Sequence, residues 1–144
     1  MTKKMNNKGF SLVELIIVIA IMAVLIGVLA PQFIKYVERS RESTDLQNVE
    51  EVKTAVETYV ADHGEDTALP ASITVKLTTG ASGKIVPSTA MTDYGIPADG
   101  IKTKSSKWTG GDFEWSYSTS TYTWTAPAAS VHGDAFNADG TARS

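Results

Sequence analysis

The stretch that decides the fold lies near the start of the chain and reads Lys8-Gly9-Phe10-Ser11-Leu12-Val13-Glu14-Leu15. From Leu15 to Ala30 every residue is apolar or Gly, and Pro31 follows. As a helix, the 21 residues from Phe10 to Ala30 would extend roughly 31 Å, about the thickness of the hydrocarbon core of a bilayer. We therefore predict a membrane-spanning helix whose one charged side chain, Glu14, marks a functional position.

A cleaved signal peptide and a plain membrane anchor are two open interpretations of this segment. The lysine-bearing start and the apolar core are typical of a signal peptide, and Val28-Leu29-Ala30 weakly resembles a small-residue cleavage site. The length of the apolar run, the presence of Glu14 and the position of Pro31 argue against such a cut. Because more than 100 residues follow and regions of that size usually translocate, we place the lysines in the cytoplasm and the remainder outside.

The helix is expected to continue well beyond the apolar run. No Gly or Pro occurs from Gln32 to His63, so one helix of 54 residues, Phe10 to His63, is predicted, with Gly64 as its C-cap. A stripe at spacings of three and four residues is expected to pack against a globular head, and it consists of Leu46, Val49, Val52, Val56, Tyr59 and His63. Residues 38–45 are polar on every face, so a polar girdle around Arg39 to Thr44 is expected to separate the membrane segment from the head, with its charges in solvent. Arg41–Asp45 and Lys53–Glu57 are the predicted ion pairs.

Residues 65–144 predict a small antiparallel sheet that packs one face onto the helix stripe, an α+β fold. Alternating residues at 73–77 and a short piece at 84–88 form the first strands. Ile101–Trp108, Phe113–Ser118 and Thr121–Thr125 are expected to form the main strand run, with a hairpin turn at 109–112.

Composition excludes several classes of site. The chain has no Cys, so it has no disulfide, thiolate nucleophile or Cys-based zinc site, and a net charge of −3 does not suit a nucleic-acid footprint over the whole chain. No hydrolase, metalloprotease or nucleotide-binding motif occurs, and we predict no enzymatic activity. We predict no cofactor, although Asp134, Asn137 and Asp139 are weak candidate Ca²⁺ ligands. Five aromatic residues offer a stacking surface for DNA or sugars, with sheet core as the alternative: Trp108, Trp115, Tyr117, Tyr122 and Trp124.

The segment from Lys3 to about Pro31 resembles the processing site of type IV prepilins and the related pseudopilins. The shared features are a short basic leader, the Gly9–Phe10 junction, the acid at Glu14 and the long apolar run that ends at Pro31. The resemblance implies cleavage between Gly9 and Phe10 on the cytoplasmic side, N-methylation of Phe10 and retention of the apolar segment. It further implies that Glu14 pairs with the Phe10 amine of a neighbouring subunit during assembly, and that the helix bends near Gly27 and Pro31.

The same resemblance implies the pilin fold and four segments. These are a leader at 1–9, an apolar half of the helix at 10–31, an amphipathic half at 32–64 and a β-rich head at 65–144. Pilin heads usually close their C-terminal region with a disulfide, and the lack of Cys is a departure that is more like pilins of Gram-positive bacteria. The tail would then be held by sheet pairing, by Val131 and Phe136, or by a metal.

The resemblance implies a major pilin that is stored in the plasma membrane and then packed into an extracellular surface filament for adhesion or motility. The partners implied are further copies of the chain, the prepilin peptidase, the assembly ATPase with its inner-membrane platform and the membrane itself, with DNA or a surface receptor also open. Two alternatives remain, the major pseudopilin of a type II secretion system and an anchored binding module that does not polymerise. The segment 91–97 is weakly similar to a pseudopilin segment, which keeps the first alternative open.

Overall fold

One long helix and five short antiparallel strands form the chain in the computed structural model, which describes residues 9–64, 69–127, 132–137, 140–141 and 143. The elements are α1 (Leu12–His63), β1 (Ser72–Leu77), β2 (Lys84–Pro87), β3 (Ile101–Lys102), β4 (Phe113–Ser118) and β5 (Thr123–Thr125). The predicted α+β fold, a long N-terminal helix with a small antiparallel sheet, is confirmed. The chain divides into two compact units between Tyr36 and Val37, and each is described separately below.

In the second unit, α1 packs on a sheet whose strand order is β3-β2-β1-β4-β5. Alternate residues of the central strands face the helix, and their pairs in register are Ile73 with Tyr117, Val75 with Trp115 and Leu77 with Phe113. All six of these side chains are buried, in one cluster with buried residues of α1. Because side chains alternate along a strand, one face of the sheet is apolar. The apolar stripe of α1 packs on that face and completes the core.

The helix stripe contributes the other half of this core. Val49, Val52 and Val56 are almost completely buried, and Leu46 and Tyr59 pack against the cluster while partly exposed. Ala55 and Val60 are also buried, although the spacing of the apolar residues did not single them out.

The expected hairpin between 101–108 and 113–118 is wrong. Within 101–108, only Ile101 and Lys102 form a strand. They pair with β2, and β1 lies between β2 and β4 in the sheet. The loop that follows is held by the helix instead. The carboxylate of Asp45 accepts hydrogen bonds from the N–H groups of Lys104 (2.6 Å) and Ser105 (2.9 Å) and from the indole N–H of Trp108 (2.9 Å).

The expectation that the charged side chains at 38–45 face solvent is wrong at Glu42 and Asp45, which are completely buried. Glu42 accepts three successive backbone N–H groups, those of Asp134 (2.7 Å), Ala135 (2.8 Å) and Phe136 (3.1 Å). A buried carboxylate is costly unless its oxygens are hydrogen-bonded, and here backbone donors satisfy it.

Glycine is required beside the Glu42 carboxylate. A Cβ atom at Gly133 would lie 2.5 Å from the Glu42 Cδ atom, closer than a carbon–carbon contact allows. The chain on the N-terminal side of this glycine is tied to another loop, because His132 and Thr109 exchange backbone hydrogen bonds of 2.8 and 3.1 Å. Of the packing residues predicted for the tail, Phe136 is partly buried against the core, while Val131 lies outside the described residues.

The charged side chains of the helix pair differently from the prediction. Arg41 lies 3.4 Å from Glu38, and Lys53 lies 2.9 Å from Glu50, both at i,i+3 spacing. The predicted partners are engaged elsewhere, since Asp45 binds the loop after β3 and Glu57 accepts the indole N–H of Trp124 at 2.7 Å. Exposed pairs of this kind contribute little, so the exchange of partners costs the fold little.

We expect Glu42→Gln to destabilise the head by about 2–3 kcal/mol, because its amide group turns two donor hydrogens towards backbone N–H groups that then lack a charged acceptor. Urea unfolding of the full chain in detergent measures the change. Glu51→Gln is the matched control, since Glu51 lies on the same helix and is exposed, and it should change stability by less than about 0.5 kcal/mol. Equal stabilities for the two variants would contradict the anchoring role of Glu42.

We expect the buried hydroxyl of Tyr117 to make the fold less stable at high pH. Burial raises the pKa of its hydroxyl above the usual 10.0, and the nearby charge of Glu57 raises it further. Since the folded state favours the neutral phenol, this contribution is complete below pH 10 and is lost as the pH rises through the folded-state pKa. Thermal unfolding between pH 9 and 12 should therefore show a smaller alkaline decline for Tyr117→Phe than for the parent chain. Tyr36→Phe is the control, since Tyr36 is exposed and lies in the other compact unit of the chain, and it should leave the decline unchanged.

Candidate functional site

The Gly9–Phe10 junction lies immediately before the helix. Both residues are non-helical and exposed, and the Phe10 side chain is 92% exposed. A Cβ atom built on Gly9 would meet no atom within 4 Å. The rest of the predicted leader, residues 1–8, lies outside the described residues. The peptide bond predicted to be cleaved is therefore open to an approaching molecule on the side that the structure describes.

Glu14 closes a capping box at the start of α1. Its Oε2 atom accepts the backbone N–H of Ser11 at 2.9 Å, and the Ser11 hydroxyl accepts the N–H of Val13 at 3.3 Å. Ser11 is thus the N-cap and Glu14 the N3 residue, and each satisfies a backbone donor that the helix leaves unpaired. Its negative charge also suits the positive end of the helix dipole. The Ser-x-x-Glu spacing ahead of an apolar run is the sequence signal for this box, and it indicates the N-cap role of Ser11.

Phe10 and Glu14 are not joined within one chain. Among the described residues, Glu14 has its hydrogen bond with Ser11, and none joins it to Phe10. The predicted pairing between Glu14 and a Phe10 amine concerns a second copy of the chain, so it stays a prediction.

The helix beyond Glu14 presents apolar side chains in every direction. Within the described residues, α1 is the one helix long and apolar enough to cross a membrane. Its exposed apolar side chains run from Leu12 to Tyr36, with most of them between half and two-thirds exposed. A surface of this size is unstable in water and requires either lipid or other helices around it.

Gly27 and Pro31 lie inside this helix, which is continuous from Leu12 to His63. Pro31 has no N–H to donate to the Gly27 carbonyl, so one hydrogen bond of the ladder is lost there. The bend predicted at these two residues stays a prediction.

The calcium candidates are not assembled into a metal centre among the described residues. No group of three His, Asp or Glu side chains that could hold a metal occurs in them. Asp134 gives its backbone N–H to Glu42, and the Asn137 side chain donates to Thr141 at 2.9 Å. Asp139 lies outside the described residues, and a calcium site at the tail stays untested.

Most of the aromatic residues considered for stacking belong to the core. Trp108, Trp115 and Tyr117 are at least 95% buried, Trp124 is partly buried and only Tyr122 is largely exposed. The Lys53 ammonium lies 5.2 Å from the centre of the Trp124 ring and covers it. The described aromatic side chains therefore do not form an open stacking platform.

Comparison with known proteins points to the same segment. Residues 4–30 match the family profile described as "Prokaryotic N-terminal methylation motif". The chain is 40% identical over 62 residues to the type IV major fimbrial protein FimA of Dichelobacter nodosus, which covers 43% of this chain and 40% of that protein. It is 40% identical over 82 residues to a fimbrial protein of Neisseria meningitidis serogroup A, covering 57% of this chain and 48% of that protein.

A longer match reaches into the head. The fimbrial protein EcpC of Eikenella corrodens is 36% identical over 107 residues, which is 74% of this chain and 67% of EcpC. The matches to the FimA and Neisseria proteins span less than half of those proteins' own lengths. No solved structure matches the chain significantly.

Proposed function

Because this chain belongs to the type IV pilin family, we propose that it is a structural subunit of a type IV pilus. The observation that carries the proposal is the first half of α1, whose apolar side chains are exposed in every direction and whose first turn contains one acid, Glu14. Such a helix suits two environments in turn, the bilayer before assembly and the core of a filament afterwards. The chain itself performs no chemistry in this proposal.

Processing comes first in the proposed sequence of events. A prepilin peptidase cuts after Gly9, and Phe10 becomes the new N-terminus and is N-methylated. Removing residues 1–9 takes away three lysines and no acid, which leaves 135 residues with ten basic and sixteen acidic side chains, a net charge of −6. The processed chain is stored in the plasma membrane and delivered to the surface by an assembly ATPase and its membrane platform.

Assembly then gives Glu14 a second partner. Its bond to the Ser11 N–H is local and exposed, so its carboxylate is accessible to the Phe10 amine of a neighbouring copy. Each charge is costly when it is buried alone among apolar helices, and pairing offsets both costs. The contact joins different surfaces of two copies, so it repeats without closing and produces an open filament that serves in adhesion or motility.

Intact-mass measurement and electron microscopy test the proposal. The mature chain should lack residues 1–9 and carry one added methyl group, and fibres sheared from cells should contain it. A mature chain that retains the leader would contradict the proposal. A requirement for protein secretion without surface fibres would instead assign the chain to the pseudopilins of a type II secretion system.

Variants at Ser11 and Glu14 should separate helix capping from charge pairing. Glu14→Gln retains an oxygen that accepts the Ser11 N–H but removes the charge, whereas Glu14→Ala removes both. If pairing drives assembly, both variants should insert and be processed but give at least about tenfold fewer filaments, because each leaves a buried amine unpaired. Filament yield is measured by shearing and quantitative blotting against the membrane-stored chain.

Ser11→Ala is the matched control. It removes the hydroxyl that accepts the Val13 N–H and keeps the Glu14 carboxylate, so filament yield should stay close to that of the parent chain. Normal yield from Glu14→Gln with low yield from Glu14→Ala would show instead that capping is the role that matters.

A further inference from the structure

The charged residues nearest the two ends of the apolar run bracket a definite length of helix. Between Glu14 and Lys35 lie the twenty residues Leu15–Ile34, none of which carries a charge. At 1.5 Å per residue they extend about 30 Å, the thickness of a typical hydrocarbon core. The length bounded by charges therefore matches one crossing of a bilayer, and it continues three residues beyond Pro31.

The apolar surface does not end at Pro31 either. Helix α1 continues through it, and beyond the polar Gln32 the side chains of Phe33, Ile34 and Tyr36 are each 68% exposed. Exposed Phe and Ile side chains here would lie in water if the hydrocarbon ended at Ala30. Covering them with lipid stabilises the chain in proportion to the apolar area removed from water.

Lys35 and Tyr36 have the chemistry of a membrane interface. A lysine at the end of a spanning helix extends its ammonium towards lipid phosphates while its methylene groups stay among the acyl chains. Tyrosine is enriched at the same depth because its ring is apolar and its hydroxyl is polar. Lys35 takes part in none of the ion pairs among the described residues, and its ammonium is thus available to a headgroup.

We propose that the bilayer covers Leu15–Ile34 in the membrane-stored chain, and that Lys35 and Tyr36 bind the lipid headgroups at its outer face. This inference rests on the proposed function for the existence of a stored state, and it moves the predicted end of the apolar half from Pro31 to Ile34. Pro31 then lies within the hydrocarbon, about 6 Å along the helix from Lys35.

This placement has a consequence for the backbone. The Gly27 carbonyl, which Pro31 leaves without its helical donor, lies in a region where no water competes to bind it. A polar group left unpaired in hydrocarbon is unfavourable, so the helix is weakest inside the membrane at Gly27–Pro31.

Cysteine scanning tests the boundary, because the chain has no Cys and each variant therefore carries one thiol. The full chain is inserted, head outward, into vesicles of equal parts phosphatidylethanolamine and phosphatidylglycerol, and a membrane-impermeant maleimide is added outside. Thiols placed at Ala30, Phe33 and Ile34 should react at least about tenfold more slowly than thiols at Tyr36 and Ser40. All five positions are exposed in the structure, so lipid and not protein accounts for the difference.

Substitution of Lys35 tests the anchor itself. Lys35→Leu extends the charge-free run to Val37, so the helix should sink and the thiol at Tyr36 should become at least about tenfold less reactive. Lys35→Arg keeps a cation and should leave the pattern unchanged.

Three results would contradict the inference in different ways. Rapid labelling at Phe33 and Ile34 with protection at Ala30 would place the boundary at Pro31 and leave the pilus proposal intact. An unchanged pattern in Lys35→Leu would overturn the anchoring role of Lys35. Rapid labelling at all five positions would contradict membrane storage itself, and with it that step of the proposed function.

Discussion

Two buried carboxylates on one face of α1 hold the parts of the head that the sheet does not reach. Glu42 binds three backbone N–H groups of residues 134–136, and Asp45 binds two in the loop after β3 together with the Trp108 indole. Each carboxylate depends on the segment that it holds, because a completely buried carboxylate is tolerated only when hydrogen-bond donors surround it. The loops, in turn, have five of their backbone donors satisfied by these two acids of α1.

This arrangement explains how the head closes without a disulfide. A chain with no Cys cannot link its C-terminal region covalently. The Glu42 carboxylate performs the equivalent task with three charge-assisted hydrogen bonds, and Gly133 supplies the space for it. The sheet contributes on the other side, where Trp108 packs edge-on against Phe113 with ring centres 5.0 Å apart. Helix, loop and strand are therefore joined at one place in the core.

The sequence predicted regular elements well and the loops poorly, for a physical reason. The helix from Leu12 to His63 and the strands β1, β2 and β4 follow from periodicity, which is local. The predicted hairpin at 101–118 does not form, because the carboxylate of Asp45, about 60 residues away, accepts its backbone N–H groups at Lys104 and Ser105. Glu42 and Asp45 continue the stripe of Val49, Val52 and Val56 at spacings of three and four, so their position indicated burial while their charge suggested solvent.

Glu14, in the first turn of α1, and Glu42, just past its middle, bind backbone N–H groups in contrasting settings. Glu14 binds the backbone N–H of a residue three positions away in an exposed turn, so a different donor can replace that bond at little cost. Glu42 binds donors more than 90 residues away at zero exposure, and no competing group can reach it without opening the head. Burial therefore decides which carboxylate holds the fold permanently and which is free to exchange partners. In the proposed transfer from membrane to filament, the exchangeable acid lies on the segment that changes environment.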